Sequence, residues 1–184
     1  MLLTGHTGFK GAWLLVWLQE LGAEVWGYAL NAEPVPNLFR HLTVPRPAGN
    51  WHEWHHHEGD LRDLGALKTV VHQAQPEVVI HLAAQPLVRR SYRDPLSTWA
   101  TNVQGSLHLL EALKPLQHPC AVVMVTTDKV YKNLERRLAY PETAELGGHD
   151  PYSASKAASE LVIASYRQAF LAAQDVRVGV ARAG

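Results

Sequence analysis

Six apolar runs of strand length, at residues 1–4, 24–29, 54–57, 78–82, 121–126 and 176–181, are interleaved with longer stretches of helical character. Those stretches fall at 8–21, 64–74, 95–114 and 151–172. Alternation of this kind leaves few topologies, because parallel strands need crossovers and the crossover helices cover the sheet. It predicts an α/β chain with a Rossmann-like, doubly wound parallel sheet of order 3-2-1-4-5-6, with helices on both faces. The 184 residues suffice for one such domain with a good core and are too few for two.

Composition then excludes several classes of partner. Seventeen basic and seventeen acidic side chains cancel, so nothing in the charge points to nucleic acid or an anionic membrane. No apolar stretch approaches the roughly 18–20 residues of a membrane helix. The single cysteine, Cys120, precedes the apolar run 121–125 and reads as a buried small hydrophobe, which makes a reducing, cytoplasmic compartment the simplest setting. Met1-Leu2-Leu3 reaches a glycine loop sooner than a central strand usually allows, and a strand pattern runs to the last residues. Residues 1–184 are therefore expected to be a fragment, one dinucleotide-binding domain with a clipped first strand and no C-terminal substrate domain.

Gly5, Gly8 and Gly11 follow the first strand and open the first helix, where glycine permits a tight turn and lets backbone approach a pyrophosphate. His6, Thr7, Phe9 and Lys10 lie in the same turn. The spacing is GxxGxxG, and the alternative is an ordinary turn and helix start. After the second strand, where an acid commonly holds the adenosine ribose, stands Asn31 with no arginine directly behind it, which favours NAD over NADP. Asp60, beside Leu61, could accept from an adenine amino group or cap the helix that begins at Leu64. Leu82, Ala83, Ala84 and Gln85 end the fourth strand with side chains small enough, in part, for a cofactor to pass close. Asn102 sits in a long predicted helix where its propensity is poor, either facing solvent or bending the helix near the site.

Tyr152 and Lys156 are one helical turn apart and share a face. A tyrosine is a poor base at neutral pH unless a nearby ammonium favours its phenolate. Thr127, Asp128 and Lys129, at the end of the fifth strand, bring a hydroxyl and two titratable groups to the same crevice. His52, His55, His56 and His57 crowd around Trp51 and Trp54, but alternation sends His55 and His57 to one side and His56 to the other. No acid or cysteine completes a ligand spacing, so no metal site is assigned.

The strings Thr4-Gly-His-Thr-Gly-Phe-Lys-Gly11, Gly27-Tyr-Ala-Leu30, Ala84-Gln-Pro-Leu-Val-Arg-Arg-Ser-Tyr92, Thr127-Asp-Lys129 and Gly147-Gly-His-Asp-Pro-Tyr-Ser-Ala-Ser-Lys156 resemble the extended short-chain dehydrogenase/reductase family. Within it they are most similar to the 4,6-dehydratases of CDP-linked glucose. That resemblance implies NAD as cofactor and CDP-glucose as substrate. Tyr152, supported by Lys156, would take the C4 hydroxyl proton as hydride leaves C4. Water would be lost across C5 and C6 with Asp128 as acid, and hydride would return to C6. Related dehydratases carry Glu where this chain has Lys129, which would then act as base or as electrostatic stabiliser. The resemblance further implies a homodimer packed through helices 95–114 and 151–172. A sugar-nucleotide 4-epimerase would share the glycine turn and the Tyr152–Lys156 pair without needing Asp128 and Lys129. A non-catalytic NAD sensor would have no use for Thr127, Tyr152 and Lys156 together.

Overall fold

The computed structural model describes residues 1–33, 36–42, 54–135 and 139–184. Its centre is β1 (Leu2–Thr4), a strand of three residues whose first two are completely buried. Successive side chains of a strand point to opposite faces, and Leu2 and Leu3 accordingly enter two different cores. That double burial is what a central parallel strand requires. β1 pairs in parallel with β2 (Trp26–Ala29) on one side and β4 (Val78–His81) on the other. β3 (His55–Glu58) extends the sheet beyond β2, while β5 (Cys120–Thr127) and β6 (Val176–Ala183) extend it beyond β4. The order is β3-β2-β1-β4-β5-β6, as the alternation predicts.

One face carries α1 (Phe9–Glu20) and the short α2 (Leu38–Leu42), which meet Leu3, Val25 and Phe39. The other face carries α3 (Leu64–Ala74), the helical region 88–113 and a long C-terminal helix, α7 (Pro151–Tyr166), over the larger core, built on Leu67, Val79, Leu109, Leu113, Met124 and Ile163. The predicted helix 95–114 is three pieces in one continuous rod. α5 (Pro95–Trp99) passes into a π-helical turn (Ala100–Gln104) and then into α6 (Gly105–Leu113). The wide turn contains Asn102, which is buried, so the bending alternative describes it and the solvent-facing one does not. The predicted 151–172 helix likewise ends at Tyr166 and continues as a π turn (Arg167–Leu171). α4 (Val88–Arg93) and α2 are too short to leave a helical period in the sequence.

Caps set the helix positions. Asp63 accepts from the Ala66 amide at 3.0 Å and caps α3, so the cap ahead of Leu64 is Asp63 and not Asp60. Asp150 accepts from the Ser153 amide at 2.9 Å and the Ser153 hydroxyl at 2.6 Å, which starts α7 one residue before Tyr152. Cys120 is buried and its thiol is pushed up to about 11 by burial. His55 and His57 stack on Trp26, whereas His56 leaves by the other face to meet His6. Trp51 and His52 lie outside the described residues.

Candidate active site

The site forms at the carboxyl ends of the strands, where doubly wound sheets bind ligands. Its floor is the glycine turn. Gly5 has φ +75°, and a Cβ there would lie 2.6 Å from the Ala83 nitrogen at the end of β4. A Cβ on Gly11 would overlap the Gly5 carbonyl oxygen. The Gly8 amide donates to that same carbonyl at 3.0 Å and closes the turn. Gly8 also caps α1 without any side-chain hydrogen bond, and the first turn holds no acid. The first amides of α1 therefore have neither a side-chain cap nor a competing carboxylate, the arrangement that suits a phosphate.

Above this turn is a cavity of about 400 Å³. Twelve of the residues singled out from the sequence line it: Gly5, Thr7, Gly8, Phe9, Lys10, Gly11, Leu61, Leu82, Ala83, Ala84, Tyr152 and Lys156. Others are not on its wall. His6 is fully buried beneath the turn, its Nε2 2.8 Å from His56 Nδ1 and its ring against Gly27. Burial, with the neighbouring His56 and His57, drives its pKa down to about 3. Asn31 is exposed beyond the cavity edge, and Asp60 is tied to Arg62 at 2.5 Å. Gln85 and Asn102 form a buried brace: the Gln85 amide donates to Asn102 Oδ1 at 2.8 Å, and Asn102 Nδ2 donates to Ser155 Oγ at 2.9 Å. They hold the end of β4, the π turn and α7 in register without touching the cavity.

Lys156 is buried, and its ammonium donates to the Val125 carbonyl at 3.1 Å. Burial pulls its pKa down to about 8, against the Glu160 carboxylate, which raises it. Tyr152 is shifted the other way from what a neighbouring ammonium alone would do: burial raises its phenol, and a hydrogen bond with Thr127 and the charge of Lys129 oppose the rise. Beside these lies His81, a residue the sequence did not single out. It is buried between Thr4 Oγ1 at 2.7 Å and Ser106 Oγ at 3.4 Å, and burial, then the nearby Lys156, hold its pKa at about 3.

Asp128 and Lys129 open onto a second cavity, of about 710 Å³, which also involves Tyr131, Tyr140, His149 and Ser153. Thr127 donates to Asp128 Oδ1 at 3.0 Å, and Lys129 Nζ reaches the same oxygen at 3.2 Å. Burial works to raise the Asp128 carboxyl, but these hydrogen bonds and the Lys129 charge leave it below its ordinary value. Tyr152 walls the first cavity and Ser153, the next residue, walls the second. Consecutive residues of α7 thus line two cavities, one walled by the Tyr152 phenol and Lys156 and the other by Asp128 and Lys129.

Sheet order, glycine turn and the helix carrying Tyr152 and Lys156 define a dinucleotide-binding domain of the extended short-chain dehydrogenase/reductase type. More narrowly, residues 2–174 match the GDP-mannose 4,6 dehydratase family, and the chain belongs to that family. It is 46% identical, over 170 residues, to CDP-glucose 4,6-dehydratase of Salmonella typhimurium, covering 92% of this chain and 46% of that one. Among solved structures it is similar to dTDP-glucose 4,6-dehydratase from Streptomyces venezuelae with NAD and TYD bound, with TM-score 0.76, 30% identity, and coverage of 97% of this chain and 54% of that one. It is also similar to the NAD complex of UDP-glucose 4-epimerase from Thermus thermophilus, with TM-score 0.76, 27% identity, and coverage of 98% and 53%. The chain spans about half the length of the relatives it matches.

Proposed function

We propose that this chain is the cofactor-binding and catalytic part of an NAD-dependent CDP-glucose 4,6-dehydratase. The observation that carries this reading is the junction at Tyr152. Tyr152 walls the chamber floored by the glycine turn, and the charges of Asp128 and Lys129 on the other chamber's wall act on its phenol, which brings the groups for oxidation and elimination to one sugar. CDP-glucose, rather than another nucleotide sugar, is taken from the 46%-identical relative.

The residues present fit the cofactor. Turn positions at which a Cβ would strike backbone, an α1 N-terminus without a side-chain cap and a cavity of about 400 Å³ suit a dinucleotide pyrophosphate and its flanking groups. The turn from Gly5 to Gly11 would hold the pyrophosphate, Leu30 and the adjoining Asn31 would bound the adenosine end, and Ala83, Ala84, Tyr152 and Lys156 the nicotinamide end. When bound, NAD supplies the hydride acceptor for C4 and the donor for C6.

The chain's own residues move the protons. Tyr152 removes the C4 hydroxyl proton, with Thr127 as its hydrogen-bond partner. The buried Lys156 ammonium stands one turn away on the same face and favours the phenolate. Asp128 protonates the leaving hydroxyl at C6. The Lys129 ammonium, 3.2 Å away, helps hold the Asp128 carboxyl below its ordinary value and so opposes its protonation, an opposition that ends when Lys129 turns from the carboxylate to the sugar. Freed from that pair, Lys129 faces C5, where as an ammonium it stabilises the developing enolate or, as the neutral amine, takes the C5 proton. The exposed apolar side chains Leu96, Trp99 and Leu161 on α5 and α7 support a homodimer packed through these helices.

Product analysis of the whole protein with CDP-glucose and NAD tests the reading. Formation of CDP-4-keto-6-deoxyglucose is expected. CDP-galactose would replace dehydration with 4-epimerisation, and unchanged CDP-glucose would overturn both.

A further inference from the structure

The segment that carries Asp128 and Lys129 leaves β5 through a 3-10 turn (Asp128–Val130), and the chain comes back to α7 at Asp150. Its outgoing and returning limbs are joined by backbone hydrogen bonds, Lys132 amide to Glu145 carbonyl and Gly147 amide to Val130 carbonyl, both at 2.8 Å. Both limbs supply wall to the second cavity, through Tyr131 and Asn133 on one and Gly148 and His149 on the other. These backbone bonds and the Lys132–Glu145 ion pair at 3.0 Å set the limbs against each other. They do not set the pair against the sheet and α7, where Tyr152 and Lys156 are held.

The 3-10 turn packs on α7 and Gly148 lies against Ser153, and one further side chain ties both limbs to that helix. Arg182, in β6, forks onto Glu160 of α7, with Nε 2.9 Å from Oε1 and Nη2 2.5 Å from Oε2. Its remaining nitrogen, Nη1, donates at 2.8 Å to the Tyr131 hydroxyl on the outgoing limb and at 2.8 Å to the Glu142 carbonyl on the returning limb. The guanidinium also lies over the Tyr131 ring, 4.7 Å from its centroid, and Tyr131 stacks on Tyr140 at 5.2 Å. Glu160 is buried, takes a further hydrogen bond from Thr126 Oγ1 at 2.7 Å, and lies one helical turn beyond Lys156. Glu160 is thus fully used on the α7 side, and Arg182 has donors left for both limbs.

We infer that Arg182 is a positioning residue that fixes the wall of the second cavity to the helix bearing Tyr152 and Lys156, by binding Glu160 and both limbs at once. It touches no reacting group. Its loss leaves the first cavity intact and lets the Asp128–Lys129 wall drift from Tyr152. A planar fork whose donors are spread over three nitrogens can reach partners on different sides at once, and a lysine, whose three donors share one nitrogen, cannot span them. The effect on turnover rests on the proposal that a nucleotide sugar occupies the second cavity. The mechanical coupling of wall to helix does not.

Two variants of the whole protein test it. Arg182→Lys keeps a cation opposite Glu160, so the buried carboxylate is not orphaned, and loses the reach to Tyr131 and Glu142. Tyr131→Phe removes one acceptor and leaves the Glu160–Arg182 pair untouched. Hydrogen exchange of the Lys132 and Gly147 amides is expected to quicken roughly tenfold in Arg182→Lys and less in Tyr131→Phe, with the Ala12 and Leu82 amides unchanged. In Arg182→Lys, KM for the nucleotide sugar is expected to rise about tenfold with kcat reduced less and NAD affinity unaltered. Native exchange at Lys132 and Gly147 in both variants overturns the clamp, whatever the substrate. Faster exchange with native KM and kcat overturns its link to the sugar site. A wild-type protein inactive on CDP-glucose sinks the functional proposal instead, and exchange still decides the clamp.

Discussion

Replacing Gly11 by alanine puts the glycine turn to a quantitative test. A Cβ at this position would overlap the Gly5 carbonyl oxygen and stand 2.7 Å from His6 Cα and 2.8 Å from the Gly5 carbonyl carbon. All three are backbone atoms, so no rotamer change relieves the contact and α1 must back away from the turn. Carbon atoms settle at about 3.5–4.0 Å, which makes the retreat close to ~1 Å. Overpacking of this kind costs about 1–3 kcal/mol of stability. The same retreat pulls the uncapped amides of α1 from a bound phosphate. A hydrogen bond to a charged group contributes about 1.5–3 kcal/mol, so losing one weakens NAD by roughly 10- to 150-fold. Gly8→Ala is the control, because its Cβ meets only the Gly5 oxygen at 3.3 Å, with φ −77° already suited to alanine. Titration calorimetry with NAD and thermal unfolding on the same samples measure both effects. If Gly11→Ala bound NAD as the wild type does, or no worse than Gly8→Ala, the cradle argument would be wrong.

Tyr152→Phe should lower turnover by about 10²–10⁴-fold and leave NAD binding nearly unchanged, since the ring stays in the wall; near-native turnover would mean that another group is the base. Lys129→Met should still oxidise C4, accumulate reduced nicotinamide absorbance and exchange little solvent deuterium into C5; normal deuterium uptake and product would remove Lys129 from the elimination. Acid should destabilise the fold before its carboxylates titrate. His6 and His81 are held neutral, each with its pKa lowered from 6.5 to about 3, so between those values the unfolded chain binds more protons and stability falls as pH falls. The slope is at most about 1.4 kcal/mol per pH unit for each histidine, read as the urea midpoint from neutral pH to about pH 4.5. A flat midpoint over that range would show that neither ring is kept neutral by burial.

The parts of this molecule governed by local pattern were readable from its residues, and those governed by long-range contact were not. Alternation gave the strand order, and the i to i+4 spacing put Tyr152 and Lys156 on one face of α7. Glu160 continues that face by one more turn, a signal that could have marked it as buried. Nothing local, however, joins Glu160 to Arg182, twenty-two residues on. His81 reads as the polar end of an apolar strand until Thr4 and Ser106 are brought to its two ring nitrogens. Nor could spacing reveal that the Lys156 ammonium donates to the Val125 carbonyl, or that the charge of Lys129 acts on Tyr152. The helix period says which face a side chain shares; it does not say where a long, flexible side chain ends.

Helix α7 presents consecutive residues, Tyr152 and Ser153, to two different chambers. It is a party wall, and a party wall separates tenancies. Substitutions at Thr7, Leu61 or Ala84 touch only the occupant of the first chamber, and those at Tyr140 or His149 only that of the second. On the proposed reading, cofactor preference and sugar preference change along separate mutational routes, one in the strand ends and the other in the segment between β5 and α7. Tyr152, whose phenol also feels the charges of Asp128 and Lys129, is constrained from both sides.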